Sequence, residues 1–438
     1  MSVDAAQLAG SPEDEVKTLP GVESISSASQ SAAVPPLQDN EEDSFYLTFP
    51  SANEQLTDAE FERACELIDY YIEEGNRIVP YCVERGRDPD LFDRGNVWQE
   101  GFVDFLGNMM LSKKYNNLNR MRLIAWHFSA YRLFDLSSVT EPPPSEWFNV
   151  FYSRGVEELP DDVDSLIHES YDPWHRMETL FPRLDNIIDK VDAKYLHSQP
   201  LRFGEIAASY RGFMVNGDSI RYWGGVAALY RTRVLEQIER KIAERGMCRV
   251  LEIGPGYGGL AYQLKKTYGD KLQFIAVDLV ESLIYSSIYL TTLFKEKALF
   301  YTDEKVVTAD NGLVFVPSFR SPEFFRAISD IDLCINTISM NEMTAAQVDY
   351  YAQAVSMCLA KDGIFFECNR DALRAGPGRI EVKSYIALQF AERLSVENTE
   401  VAGDGNLDIW SHALSPAIVT ASEREYPASV LHYRRGVR

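Results

Sequence analysis

The feature that most constrains the fold is a glycine-rich turn between a short apolar run and a helical pattern. Residues 250–253 read Val-Leu-Glu-Ile, the turn contains Gly254, Gly256 and Gly258, and residues 260–266 have helical spacing. A strand, a glycine turn and a helix begin a βαβ nucleotide-binding unit, because backbone without a Cβ can approach a ligand closely. The segment therefore predicts an α/β fold with a ligand site at this turn.

A second apolar run, residues 273–277, ends in Asp278. A carboxylate there can accept hydrogen bonds from both ribose hydroxyls of an adenosine ligand. The glycine spacing alone also fits a dinucleotide. Glu252 favours a different ligand, because its charge would repel a pyrophosphate but suits the positive sulfonium and ammonium of S-adenosylmethionine (SAM). We therefore predict SAM as the cofactor, bound by Glu252, by the turn that includes Tyr257, and by Asp278.

Composition limits the other functions open to the chain. The 438 residues carry a net charge of −23, whereas a nucleic-acid substrate needs a basic surface. No apolar run approaches the roughly 18 residues of a membrane span, and the N-terminus has no signal-peptide pattern. The six cysteines lack metal-binding spacing. We predict a cytoplasmic protein with free thiols and without a nucleic-acid or membrane partner; the oligomeric state stays open.

The sequence pattern changes twice along the chain, which predicts three segments. Residues 1–45 are acidic and rich in Ser, Ala and Pro, so they bury too little apolar surface to order and form a disordered acidic tail. Residues 46–200 have apolar helical spacing, with a capping start at Thr57, and are predicted to be an α-helical N-terminal domain. Residues 201–438 are predicted to be the SAM-binding domain.

Polar residues cluster just before the glycine turn. Arg221 lies in the run Ile-Arg-Tyr-Trp-Gly-Gly at 220–225, ahead of a helix predicted over 226–244. Its planar guanidinium suits a carboxylate, such as that of the cofactor. A salt bridge that joins two domains is an equally good interpretation of Arg221.

Five motifs occur in order along residues 203–343. They are Phe-Gly-Glu at 203–205, Asn-Gly-Asp-Ser-Ile-Arg-Tyr at 216–222, Glu-Ile-Gly-Pro-Gly-Tyr-Gly-Gly-Leu-Ala at 252–261, Asp278 with Tyr289 and Leu290, and Ile-Asn-Thr-Ile-Ser-Met-Asn-Glu-Met at 335–343. The third resembles the first motif of class I SAM-dependent methyltransferases. Together they resemble the sugar O-methyltransferase family of bacterial saccharide and antibiotic pathways, over roughly residues 200–370. The resemblance implies a Rossmann-like sheet, SAM, and a saccharide or glycoside substrate.

The rest of this region alternates between strands and helices. Continuous apolar runs are typical of strands buried on both faces. The pattern predicts strands at 312–316, 331–335 and 363–368, helices at 282–294, 348–359 and 379–394, and a late antiparallel hairpin from β signals at 417–420 and 430–433. Ser318, just after the first of these strands, is predicted to flank the adenine, and Asp310 is a rival for that contact.

Methyl transfer to a hydroxyl needs a group that takes up the hydroxyl proton. Such a group is expected at the end of the strand 331–335, where Asn341 and Glu342 follow. We predict Glu342 as the base or as a metal ligand, and Asn341 as the residue that orients the hydroxyl. A helix N-terminal role is the alternative for Glu342.

Other chemistry and other functions stay open at this point. We assign no metal ligands, but Asp310, Asp371 and Asn369 are second-line candidates for a divalent ion, and His412 is an alternative base. A methyltransferase acting on another small molecule or on a protein side chain is the rival within enzymes. A non-catalytic protein that uses the SAM-binding fold as a scaffold is the rival outside them.

Overall fold

The computed structural model describes residues 47–48, 55–92, 174–198, 200–203, 207–302, 305–369, 380–396 and 406–435. The predicted tail, most of residues 46–200, and Asp371 lie outside these ranges. The described residues belong to one compact unit, and the boundary expected near residue 200 stays a prediction.

Helices and strands alternate through most of the described chain. The helices are α1 (Asp58–Glu84), α2 (Trp174–Lys190), α3 (Gly217–Arg231), α4 (Val234–Arg245), α5 (Gly259–Tyr268), α6 (Val280–Phe294), α7 (Ser321–Ala327), α8 (Ala345–Cys358), α9 (Val382–Ala387) and α10 (Pro416–Glu425). The strands are β1 (Leu47–Thr48), β2 (Ala207–Tyr210), β3 (Phe213–Val215), β4 (Cys248–Ile253), β5 (Leu272–Asp278), β6 (Ala298–Phe300), β7 (Leu313–Pro317), β8 (Ile331–Thr337), β9 (Leu359–Asn369), β10 (Glu392–Val396), β11 (Asn406–Ser411) and β12 (Leu431–Arg435).

The main sheet has nine strands in the order β12-β10-β11-β9-β8-β4-β5-β7-β6. Strands β4 to β9 pair in parallel, and β11 runs antiparallel between β9 and β10. A small antiparallel sheet, β1-β2-β3, stands apart from it. This arrangement confirms the Rossmann-like α/β class. Late antiparallel strands are present, but β12 pairs with β10 and not with the segment 417–420 that the sequence predicts.

Helices cover both faces of the main sheet, which buries its parallel strands. One core includes Leu67 of α1, Trp223 of α3 and Ile284 of α6, and the other includes Phe324 of α7 and Val348 of α8. Strands covered on both faces must be apolar throughout, which is why these strands could be predicted from continuous runs. Helix α1 shares a core with the sheet, so its buried apolar side chains pack against the sheet and its helices.

Helix α1 begins where the sequence predicts. The Thr57 hydroxyl accepts a hydrogen bond from the Glu60 N–H at 3.3 Å, and a Glu60 carboxylate oxygen accepts one from the Thr57 N–H at 3.0 Å. This capping box satisfies backbone donors that the first turn leaves free. None of the helices in the described ranges is long and apolar enough to cross a membrane.

Three local predictions were wrong. The helix expected over 226–244 is two helices, α3 and α4, because Arg233 adopts a left-handed conformation with φ of 60° between them. Only Val382–Ala387 of the expected helix 379–394 is helical, and its end forms strand β10. The β signal at 417–420 lies in α10, where Pro416 starts a helix that buries Ile418 against the core. Tertiary packing overrides the weak propensity of β-branched residues there.

Candidate functional site

Strand β4 lies at the point where the connections of the sheet change direction. Its neighbours are β5 on one side and β8 on the other, and all three run parallel. In open α/β sheets, ligands bind in the crevice outside the carboxyl ends of the strands at such a switch point. The glycine turn follows β4 directly and therefore lies at this crevice.

The turn has a backbone that only glycine adopts easily. Gly254, Gly256 and Gly258 have φ angles of 70°, 56° and 92°. A Cβ at Gly254 would overlap the Ser339 side chain, and a Cβ at Gly259 would overlap the Tyr222 ring. The glycines therefore provide both the conformation and the close approach that the sequence predicts.

Asp278 holds the glycine turn against the end of β5. One carboxylate oxygen accepts a hydrogen bond from the Gly256 N–H at 3.1 Å, and the other accepts one from the Leu279 N–H at 2.7 Å. Burial raises the pKa of Asp278 to about 7, although these two hydrogen bonds lower it in part. The nearby negative charges of Glu342 and Glu281 add to the rise. Asp278 and Glu342, predicted for different roles, thus lie close enough to interact.

Glu252 is buried in the middle of the sheet, with only 2% of its surface exposed. Its carboxylate oxygen Oε2 has no hydrogen-bond partner, and no ion pair within the described ranges neutralises it. Burial raises the pKa of Glu252 to about 8, and the charge of Asp278 contributes. A buried carboxylate oxygen without a hydrogen-bond partner is unfavourable unless the carboxylate is protonated or a cation lies beside it.

A hydrogen-bond network that the sequence did not predict ties β8 to the turn. The Asn336 amide donates to the Ile253 carbonyl at 2.9 Å and to the Ser339 hydroxyl at 2.5 Å, and that hydroxyl donates to the same carbonyl at 3.1 Å. The Asn369 amide in turn donates to the Asn336 side-chain oxygen at 2.9 Å. Ile338, which lies between Asn336 and Ser339 in the chain, has a φ of 71°, a strained value for a β-branched residue.

The two predicted catalytic residues lie in a 3₁₀ turn, Ser339–Glu342, directly after β8. The side chain of Asn341 is buried and that of Glu342 is half-buried. Thr344 caps the next helix, α8, with a capping box, so the hydrogen bonds at that helix N-terminus do not need Glu342. Glu342 therefore remains a candidate for chemistry at the crevice.

The other predicted cofactor residues lie on three different elements: in the turn after β4, on α3 and after β7. Tyr257 is buried in the turn, with its ring 4.3 Å from that of Tyr289. Arg221 is half-buried on α3, immediately before Tyr222, whose ring covers the start of α5. Ser318 follows β7, next to the end of β5, but its hydroxyl donates to the Phe92 carbonyl at 3.0 Å.

Two alternative candidates lie at the amino ends of the parallel strands, away from the crevice. Asp310 precedes β7 and is exposed, with Lys297 3.9 Å away, so it cannot compete with Ser318 at the carboxyl end. His412 follows the antiparallel strand β11, whose end lies beside the amino ends of the parallel strands, and its Nε2 lies 2.9 Å from the Ser356 carbonyl. Neither residue is placed to act at the crevice. Within the described ranges, no group of three or more acidic, histidine or cysteine side chains could hold a metal ion.

A buried ionic cluster lies beyond Asn369, and the sequence analysis missed it. Lys383 and Arg393 each approach a different oxygen of Asp408 at 2.6 Å. Their charges lower the pKa of Asp408 in spite of its burial. Glu367 lies opposite Asp408 on the neighbouring strand, and burial together with that charge raises its pKa to about 8. The cluster extends the polar network of Asn336 and Asn369 into the sheet.

Comparisons with known proteins place this chain near several solved structures. No family model matches it, and no curated protein is similar enough to count as a relative. Spermidine synthase from Thermotoga maritima is 15% identical over 51% of this chain and 69% of that chain, with a TM-score of 0.31. Phosphoethanolamine N-methyltransferase 2 from Haemonchus contortus, in complex with SAM, is 18% identical over 33% of this chain and 29% of that chain, with a TM-score of 0.21. Fibrillarin from Aeropyrum pernix, with natively bound SAM, is 9% identical over 37% of this chain and 66% of that chain, with a TM-score of 0.28.

These likenesses are slight, since each of these three TM-scores is below 0.5. The fold of this chain is therefore assigned from its own strand order, strand directions and glycine turn.

Proposed function

We propose that this protein is a SAM-dependent O-methyltransferase that transfers a methyl group to a hydroxyl of a sugar or glycosylated small molecule. The proposal has two parts, a cofactor and an acceptor, and different observations support them. The cofactor part is supported by the geometry of the crevice. The acceptor part is supported by the motif resemblance and by the polar residues after β8.

The single observation that carries the cofactor part is the buried carboxylate of Glu252. It lies directly beneath the glycine turn with one oxygen unpartnered. A cation in the crevice would supply the missing partner, and SAM offers both an ammonium and a sulfonium. A pyrophosphate cofactor would instead oppose ionisation of Glu252 and Asp278, so it would supply neither buried carboxyl with a compensating positive charge.

The remaining crevice residues have roles that fit the same cofactor. Asp278 accepts only one backbone hydrogen bond at each carboxylate oxygen, so lone pairs remain for ribose hydroxyls. The turn around Gly256 approaches the ligand through its backbone. Arg221 is assigned to the cofactor carboxylate, and Ser318 and its neighbours to the adenine side.

When bound, SAM supplies a methyl group activated by the sulfonium. The chain must then align the acceptor hydroxyl and take up its proton. Glu342 is assigned as the base, since it lies near Asp278 at the crevice and is only half-buried. Asn341 orients the hydroxyl. Holding two reactants in line is worth up to roughly 7–11 kcal/mol, and a positioned base adds about 10²–10⁴-fold.

A binding experiment tests the cofactor part. The ligands are SAM, S-adenosylhomocysteine, which lacks the sulfonium charge, and 5′-methylthioadenosine, which lacks both the sulfonium and the amino-acid group. Glu252→Gln should weaken SAM most and methylthioadenosine least, because only the charged groups interact with the carboxylate. Glu244→Gln, an exposed change on α4, is the matched control. Equal binding of all three ligands by Glu252→Gln and wild type would refute the cofactor assignment.

An acceptor screen tests the second part. Transfer of labelled methyl from SAM is measured with glycosides, with the corresponding sugar-free small molecules, and with protein substrates. Methylation that requires the sugar supports the proposal. Methylation of sugar-free molecules or of proteins would favour the rival enzymes. SAM binding without any methylated acceptor would favour the scaffold reading.

A further inference from the structure

The N-terminal segment made of residues 58–92, here called the α1 segment, contacts the side of the crevice assigned to the nucleoside. Gly75 of α1 faces Val280, since a Cβ there would lie 3.8 Å from a Val280 methyl carbon. Val280 begins helix α6, two residues after Asp278. The segment therefore packs directly behind the carboxylate assigned to the ribose.

Tyr71 packs α1 against the sheet. Its side chain is buried, with 1% of its surface exposed, and its ring lies edge-on to that of Phe300 in β6, with centroids 6.2 Å apart. Burial is the main cause that raises the pKa of Tyr71 well above its usual value, and the charge of Asp278 contributes.

A buried ion pair fastens the α1 segment to the turn after β7. Arg320 ends the 3₁₀ turn Ser318–Arg320. Its Nε lies 2.5 Å from Glu74 Oε2, and its Nη2 lies 3.1 Å from Glu74 Oε1. The two residues are 4% and 1% exposed. A bidentate pair withdrawn from water fixes geometry, because loss of either partner leaves an uncompensated buried charge.

Three further contacts surround this ion pair. The Ser318 hydroxyl donates to the Phe92 carbonyl at 3.0 Å. The Tyr81 ring lies edge-on to Phe319 with centroids 5.1 Å apart, and the Arg320 guanidinium lies 4.8 Å from the Tyr81 ring centre. All three residues of the turn after β7 are thus held by the α1 segment.

We propose that the α1 segment is the outer wall of the nucleoside side of the cofactor site, and that Glu74 and Arg320 are positioning residues for cofactor binding. The proposal rests on the proposed SAM function. The turn Ser318–Arg320 follows Pro317, which pairs with Asp278, so its backbone borders the place assigned to ribose and adenine. Since the α1 segment holds that turn from outside, undocking of the segment would release the nucleoside side of the site.

Thermodynamic linkage makes this coupling reciprocal: if docking of the segment improves SAM affinity, SAM must stabilise the docked segment by the same factor. The first test is therefore hydrogen exchange with and without SAM. Bound SAM should slow exchange in α1 and at residues 318–320, while helix α4, on another part of the domain, should be unaffected. Protection confined to the glycine turn and the end of β5 would overturn the proposal.

The second test is Glu74→Gln, with SAM affinity measured by titration. We expect a dissociation constant raised by roughly tenfold, within the usual range of coupling between sites. The matched control is Glu66→Gln, which breaks an exposed pair within α1, with Arg63 at 2.8 Å. That contact does not join the α1 segment to the rest of the domain, so the control should bind SAM within about twofold of wild type.

If Glu74→Gln does not fold, the double variant Glu74→Met with Arg320→Met removes both charges at once and leaves none unpaired in the core. It should also bind SAM more weakly than wild type. Wild-type affinity in a folded variant would overturn this inference while leaving the proposed function intact. Absence of SAM binding by the wild-type protein would overturn both.

Discussion

Binding of SAM should release a proton from Glu252, because the ligand-free site holds this carboxyl in its neutral form. Burial and the charge of Asp278 raise its pKa to about 8. A positive ligand beside Glu252 opposes both effects and lowers its pKa, because it favours the ionised form. The proton that leaves Glu252 passes to the buffer, so its release can be counted.

The magnitude follows from the two pKa values. At pH 7 a carboxyl with a pKa of about 8 is ~90% protonated, whereas one at the ordinary value near 4.5 is almost fully ionised. Glu252 should therefore release ~0.9 proton per SAM bound at pH 7. Asp278, whose pKa is about 7, adds up to ~0.5 proton if ribose hydroxyls stabilise its ionised form.

Calorimetric titration in two buffers measures this release. The buffer takes up the protons that the protein releases, and phosphate and Tris have different heats of ionisation. The difference between the two observed enthalpies, divided by the difference between the heats of ionisation, therefore gives the number of protons released. Glu252→Gln should lose the larger part of the difference, and Glu244→Gln should keep all of it. Equal enthalpies in both buffers at pH 7 would refute the assignment of the cation to Glu252.

Three further predictions concern other parts of the site. Glu342→Gln should lower kcat for methyl transfer by about 10²–10⁴-fold while changing the SAM dissociation constant little, and an unchanged kcat would remove Glu342 as the base. Gly254→Ala should cost roughly 1–3 kcal/mol of stability from its left-handed backbone, and its overlap with Ser339 adds to this cost. The cost of Gly254→Ala should therefore be smaller in a Ser339→Gly background than in the wild type, and an equal cost in both backgrounds by denaturant unfolding would contradict that contact. Lys383→Met should destabilise the fold by about 3–5 kcal/mol because Asp408 loses a buried partner, and an unchanged unfolding midpoint would show that the pair contributes nothing.

Removal of Glu252 also has a consequence for the ligand-free protein that pH can reveal. The folded state keeps this carboxyl protonated up to about pH 8, whereas the unfolded chain loses the proton near its ordinary value. The folded state thus binds more protons between these limits, and stability falls as pH rises through that window. Glu252→Gln should flatten this decline, which chemical unfolding at pH 5 and pH 8 would measure. An identical decline in both proteins would place its cause elsewhere.

Much of the site could be predicted because its parts are close in sequence. The strand β4, the glycine turn and Asp278 belong to one βαβ unit, whose geometry is local and repeats wherever the pattern occurs. The acidic residue type at Glu252 then predicts a positively charged ligand rather than a pyrophosphate. Thr57 and its capping box were predictable for the same reason, since both partners lie within one helical turn.

Other residues could not be placed without the directions of the strands. Asp310 precedes a parallel strand, and His412 follows an antiparallel one. Both therefore lie at the amino ends of the parallel strands, opposite the crevice. Their residue types alone made them reasonable candidates. The late helix and strand assignments failed for a related reason: burial of Ile418 against the core decided its helix, and local propensity is too weak to oppose such packing.

The sequence by itself determined a Rossmann-like sheet, the position of the glycine turn, and the two strands that carry Glu252 and Asp278, because strand, turn and helix signals depend on neighbours within a few residues. Only the tertiary structure decided which distant groups complete the site. It brings Asn336 and Ser339 against Gly254, and Glu74 against Arg320, across separations in the chain that carry no periodic signal. Such contacts form because packing buries polar groups that must then find partners, and the partner is whichever side chain the fold places within reach.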